Sequence, residues 1–235
     1  MTSNRSTARI AGALFILATF TSILSLPVLE PINASNYLVS VSANGNQMAT
    51  GVLLVFIAAL AAPSIAISMY PVLRRYNDGL ALGAVGFRLI EGVLIAVGAL
   101  GLVLLSTLSQ EFVVAGAPDS SYFQALGALL LAGYRWVGFV GSIMAFSLGA
   151  LMYYYIFYQT RLIPRWLSNW GLFAATLSLA GCILVVFGLI GPLSTSQVIL
   201  GVPIGVEEMV LAAWLIVKGF NPSAIASKLP RQIVD

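Results

Sequence analysis

Apolar residues are gathered in six long runs, at about 8–26, 48–73, 80–108, 134–158, 166–190 and 197–218, separated by short polar stretches. A helix needs about 20 apolar residues to cross the hydrocarbon core of a bilayer. In lipid, each peptide group must also find its hydrogen bond within the protein, which a helix provides locally. The pattern predicts an all-α, polytopic transmembrane helix bundle of six spans, with residues 1–235 forming one transmembrane domain. The first run has the basic start of a signal peptide, but it is long and no small-residue cleavage site follows it, so it is expected to be a retained helix.

Two stretches between the runs are more ambiguous. Residues 30–47 carry Asn33, Asn36, Asn44 and Asn46, yet Tyr37, Leu38, Val39 and Val41 suggest a short interfacial helix at about 34–44, stopped by Gly45. The stretch 122–158 reads either as one long tilted helix or as a short interfacial helix at about 122–132 followed by a span from about 134; the second reading is preferred. Pro63 is expected to kink the second span, and Asn77, Asp78 and Gly79 read as a tight turn ahead of the third.

Composition sharpens this reading. Of 235 residues, 60% are hydrophobic and 8% charged, against roughly a quarter charged in a soluble domain. The net charge of +3 does not form a nucleic-acid-binding patch, because the basic residues sit at the ends of apolar runs. Nine of the eleven Lys and Arg residues lie at the N-terminus (Arg5 and Arg9), at Arg74 and Arg75, at Arg161 and Arg165, or from Lys218 onward through Lys228 and Arg231. The alternate connections, which hold Glu30, Glu111 and Asp119, have none. The positive-inside rule then predicts N-in and C-in. Tyr153, Tyr154, Tyr155, Tyr158, Trp166 and Trp170 read as a headgroup belt on the same side.

Several chemistries drop out. There is no histidine, and the single cysteine, Cys182, lies inside an apolar run. The usual metal, haem and general-base residues are therefore missing, and no cofactor is expected. Neither a P-loop nor a dinucleotide-binding glycine pattern occurs. Serines such as Ser142, Ser147 and Ser178 fall within spans, but a lysine base is missing, because Lys218 and Lys228 lie at or beyond the end of the last span. Enzyme activity is the least favoured class, and the lipid bilayer is the one partner the pattern itself requires. It specifies no oligomeric state.

With the anchors at the run ends set aside, five charged residues remain inside the runs: Arg88, Glu91, Arg135, Glu207 and Glu208. A charge at the centre of a span costs about 2.5–3.5 kcal/mol even on insertion scales, so these side chains should face the bundle interior and be paired, hydrated or neutralised. Counted along their helices at about 1.5 Å per residue, Arg88, Glu91, Glu207 and Glu208 fall at similar depth, whereas Arg135 belongs near the opposite mouth. Arg88 and Glu91 share a face. The expectation is a polar cluster in which Arg88 pairs with Glu91 and with one of the two adjacent glutamates. Three carboxyls then meet one guanidinium, and one glutamate is expected to hold its proton at neutral pH. Pro203 and Gly205 should distort the last span beside these charges. Small residues at Gly141, Ala145 and Gly149, and at Gly171 and Ala175, mark close helix packing.

Residues 87–92 read Phe-Arg-Leu-Ile-Glu-Gly. The last span carries Pro203, Glu207, Glu208, Trp214, Lys218 and Gly219. With the span pattern over roughly 9–219, these residues resemble the bacterial membrane family catalogued as domain of unknown function 4386. The resemblance implies a six-helix, multi-pass protein of the bacterial inner membrane and implies no activity. Taken with the cluster, it leaves a leading expectation of a core polar cavity that binds or transports a small solute or ion, with proton linkage. The alternative is a structural or assembly protein in which the cluster only locks helices.

Overall fold

A computed structural model describes residues 2–118 and 121–226 of the chain. Asp119, Lys228 and Arg231, used above to orient the chain, lie outside the described residues. Among those residues the fold is helical without a strand: α1 (Thr2–Val28), α2 (Tyr37–Ala43), α3 (Gly45–Leu73), α4 (Asp78–Val114), α5 (Ser121–Gly133), a π-helical segment (Tyr134–Gly141), α6 (Ser142–Thr160), α7 (Arg165–Val186), α8 (Thr195–Val217) and α9 (Pro222–Ala226). Six helical stretches are long and apolar enough to cross a membrane. The protein is thus an all-α, six-span membrane protein.

Local chemistry sets the helix ends. Asn77 is not the first residue of a free turn but the cap of α4: its side-chain oxygen accepts from the Leu80 N–H at 3.0 Å, so Asp78 and Gly79 belong to the helix. This is the usual way to satisfy an orphan donor of the first turn. Ser194 caps α8 in the same way, accepting from Gln197 N–H. Arg161 ends α6 in the left-handed conformation, at φ 57°. Gly45 does not stop α2 but starts α3, and the change of direction falls on Asn44, whose amide donates to the Ser40 carbonyl at 2.8 Å.

The spans α1, α3, α4, α6, α7 and α8 pack in chain order, and α8 closes back on α1. The result is an up-and-down ring in which every span has two neighbours. Closure depends on Gly12, where a Cβ would come within 2.7 Å of the Ala212 carbonyl oxygen and of Ile216. Lipid supplies no hydrophobic drive between helices, so such close backbone contact is the main source of association.

The stretch expected to divide near residue 133 is helical throughout, passing from α5 through the π-helical segment into α6. The π turn lies where Gly138 meets Gly98 of α4: a Cβ on Gly98 would be 2.6 Å from the Gly138 Cα. At 37 residues, α4 is about 55 Å long and extends well past a hydrocarbon core of about 30 Å. Its far end packs with α2 and α5 in a second core of Leu38, Val41, Leu105, Phe112 and Phe123. The larger core lies towards the end where α1 starts and α8 finishes, and holds Phe15, Met69, Tyr153, Tyr154, Phe157 and Leu211. Lipid meets an outer surface of exposed Phe20, Ile23, Leu60, Leu104 and Phe173.

Candidate functional site

The polar cluster begins on α4. Arg88 and Glu91 lie one turn apart, and the Arg88 Nη1 stands 3.0 Å from Glu91 Oε2 and 3.3 Å from Oε1. Both residues are buried. The guanidinium also reaches across the ring: Nε donates to the Ala62 carbonyl of α3 at 3.2 Å, and its carbon lies 5.0 Å above the Phe146 ring of α6. Charge-assisted hydrogen bonds, an ion pair and a cation–π contact thus offset the loss of hydration.

Small residues make this placement possible. Gly149 of α6 lies against Phe87 and Arg88, so that a Cβ would be 3.3 Å from Arg88 Cγ. Gly92, one residue beyond Glu91, sits over the break in the α3 ladder left by Pro63: a Cβ would come within 2.6 Å of the Ala59 carbonyl oxygen. That carbonyl is the one proline leaves without its helical donor. α3 nevertheless continues as helix through Pro63 to Leu73.

Glu207 is fully buried on α8 and accepts a hydrogen bond from the Tyr154 hydroxyl of α6. Gly171 of α7 leaves the space occupied by the Tyr154 ring. Tyr153 packs on Tyr154, with ring centroids 4.5 Å apart, and edge-on against Phe15 of α1 at 6.5 Å. Glu208 is partly buried and lies within electrostatic reach of Arg88, Glu91, Tyr153 and Tyr154. All six ring helices therefore contribute to the walls of the cluster.

This arrangement corrects three sequence expectations. The expected Arg88–Glu91 pair is present, but among the described residues no ion pair joins Arg88 to Glu207 or Glu208. Glu207 is engaged by a tyrosine instead: adjacent side chains on a helix diverge by about 100°, and Glu208 is the one of the two that interacts electrostatically with the guanidinium. Tyr153 and Tyr154 leave the proposed aromatic belt and enter the core with no exposure, whereas Tyr155, Tyr158 and Trp166 stay at the rim. The same angular argument could have found them: consecutive aromatic positions cannot all face lipid. Finally, α8 passes through Pro203 and Gly205 as continuous helix.

Arg135 stands apart. It is half-buried in the π-helical segment, eleven residues before Phe146, or about 16 Å along the helix. It does not join the cluster.

Among the described residues, four buried oxygens of the cluster have no hydrogen-bond partner: Glu91 Oε2, which is held only by its ion pair, Tyr153 OH, Glu207 Oε1 and Glu208 Oε1. Buried polar atoms are normally satisfied, and such exceptions point to a proton, a water or a ligand. Groups of three or more His, Cys, Asp or Glu residues arranged to hold a metal ion do not occur among the described residues. Comparison with curated proteins and with solved structures finds no match. A family's sequence model, however, covers residues 10–219, nearly the whole ring together with both charged helices. The chain belongs to the family described as Domain of unknown function (DUF4386).

Proposed function

We propose that the cluster of Arg88, Glu91, Glu207 and Glu208 is a proton-linked site that binds or passes a small solute or ion, with positively charged species favoured. The carrying observation is the pair of unpartnered carboxyl oxygens, Glu207 Oε1 and Glu208 Oε1, beside a guanidinium already engaged by Glu91 and the Ala62 carbonyl. Three carboxyls and one guanidinium would leave two negative charges in a dry interior if all were ionised. Desolvation makes that state costly. Protons or a bound cation remove the imbalance, and exchange of one for the other is the elementary step of proton-linked binding.

Access is supported on the α8 side. Gly205 and Gly201 precede Glu208 by three and seven residues, roughly one and two turns back along the helix, and a Cβ at either would meet nothing within 4 Å. Glu208 is the less enclosed of the two glutamates. Glu208 would take the incoming species, Tyr154 and Glu207 would hold or return the proton, and Arg88 would fix the position of Glu91.

The test is purified protein reconstituted in vesicles with a trapped pH indicator, challenged with alkali ions and small organic amines. Glu208→Gln and Glu207→Gln should fold and abolish any solute-dependent pH change shown by the parent, and Glu208→Gln should also remove thermal stabilisation by the same solute. Stabilisation by every tested cation that persists in both variants would overturn the reading.

A second reading, the cluster as a structural lock, has its own support. The Arg88–Ala62 bond ties α4 to α3, and the Tyr154–Glu207 bond ties α6 to α8. A lock predicts that Tyr154→Phe and Glu207→Leu each lower stability, with the double variant close to the worse single one, and that no solute stabilises the parent.

A further inference from the structure

At the end of the ring where α8 finishes, two tight connections face each other. The α6–α7 connection turns on Arg161 in its left-handed conformation. The α8–α9 connection turns on Gly219, at φ 74°. Asn221 clasps the two together: its backbone N–H donates to the Leu162 carbonyl at 2.8 Å and its amide to the Arg161 carbonyl at 3.3 Å. Between them is a cavity of about 440 Å³.

Its lining has a distinct chemical character. Arg161, Arg165 and Lys218 supply three positive charges, and among the described residues no carboxylate lines the cavity. None of the three forms an ion pair among the described residues. Arg165 instead lies 5.6 Å from the Tyr158 ring centroid. The rest of the lining is largely apolar, with Leu162, Ile163, Trp214 and Phe220. Arg74, at the same end of the bundle, has by contrast a counter-charge, lying 3.8 Å from Asp78 and 5.3 Å from the Tyr70 ring. Among the described residues, the three cations around the cavity are thus gathered on a concave surface without counter-charge.

We propose that this cavity binds the phosphate of an anionic phospholipid at the membrane edge. Arg161, Arg165 and Lys218 hold the phosphate, and Trp214 lies along the glycerol and the first part of the acyl chains. A phosphate group suits the donors because guanidinium and ammonium groups give it several charge-assisted hydrogen bonds. A lipid suits the whole cavity better than free phosphate, since the lining combines three cations with apolar residues and lies at the finish of the last span. Basic pockets between spans bind headgroups in this way. By joining the α6–α7 and α8–α9 turns, the lipid would brace the ring near its α8–α1 closure.

The experiment follows thermal unfolding of the full chain in a zwitterionic detergent, titrated separately with dihexanoyl phosphatidylglycerol, dihexanoyl phosphatidylcholine and sodium phosphate. Phosphatidylglycerol should raise Tm saturably, and phosphatidylcholine should not. Lys218→Gln and Arg165→Gln, both at exposed positions, should each raise the half-saturating concentration by about fivefold; with Arg161→Asn added, which keeps a residue tolerant of the left-handed conformation, the response should vanish. The Arg74→Gln, Arg75→Gln pair removes two charges from the same end of the bundle outside the cavity and should retain it. Equal responses to the two lipids, or equal loss in the Arg74/Arg75 control, would overturn the proposal. A response to sodium phosphate matching that to phosphatidylglycerol would keep a phosphate site and overturn a lipid as its source. Should the triple variant fail to fold, Lys218→Gln alone decides: an unchanged half-saturating concentration refutes the site.

Discussion

A guanidinium held among six helices must find acceptors there, and Arg88 finds a carboxylate, a carbonyl and an aromatic face. Removing the cation alone leaves Glu91 buried without its partner. Arg88→Ala should therefore cost about 3–5 kcal/mol, the usual result of breaking a buried pair from one side. Glu91→Gln in the same background should restore part of that loss, because a neutral amide replaces the stranded charge. Unfolding in mixed micelles, completed as a double-mutant cycle, measures both, and a fully additive double variant would deny the coupling. Much of this was legible from four ionisable residues at matching depth, since charge in a span has few places to go. Tyr153 and Tyr154 were hidden by the resemblance of the run at 153–158 to an interfacial belt. The Ala62 carbonyl was hidden because backbone acceptors leave no mark in a sequence. The Arg–Glu bond expected between the third and sixth spans gives way to a tyrosine–glutamate bond between the fourth and sixth.

At the scale of elements, glycine contacts decide how closely the spans approach. Gly98 and Gly138 place the backbones of α4 and the π-helical segment in direct contact, with no side chain free to move aside. Gly98→Ala and Gly138→Ala should each lower stability by about 1–3 kcal/mol through overpacking. Gly86 lies on the same helix as Gly98, but a Cβ there meets nothing within 4 Å. Gly86→Ala should be neutral, or stabilising by up to about 1 kcal/mol from helix propensity. Thermal unfolding of the three variants checks the contrast, and equal losses at Gly86 and Gly98 would refute it. Apolar length shows where a helix can cross a membrane, but not which turn of it widens to π geometry. That depends on a neighbour brought in by the fold. Helix ends were partly readable: the turn expected at residues 77–79 marks the right place, although Asn77 uses its side chain to start α4 and not to open a loop.

For the whole molecule, counting apolar runs yields six spans, but nothing local distinguishes Gly12, which meets the Ala212 carbonyl and closes the ring, from the other 21 of the chain's 22 glycines. The ring and the even number of spans put the start of α1 and the finish of α8 at one end, together with Arg74, Arg75, Arg161, Arg165 and Lys218. The positive-inside rule predicts that this end faces the cytoplasm. Cysteine labelling in intact cells tests this assignment, and the native Cys182 should stay silent to an impermeant maleimide because it is fully buried. Asn46→Cys and Gln110→Cys, both exposed at the opposite end, should react from outside. Ser223→Cys, exposed beyond α8, should react only after the membrane is permeabilised. The reverse pattern would invert the bundle and place the Arg161–Lys218 cavity in the outer leaflet, while leaving the internal contacts of the Arg88 cluster unchanged. Orientation and the buried site are thus separable: the first follows from charges at the rim, the second from how six backbones close around a few carboxyl groups.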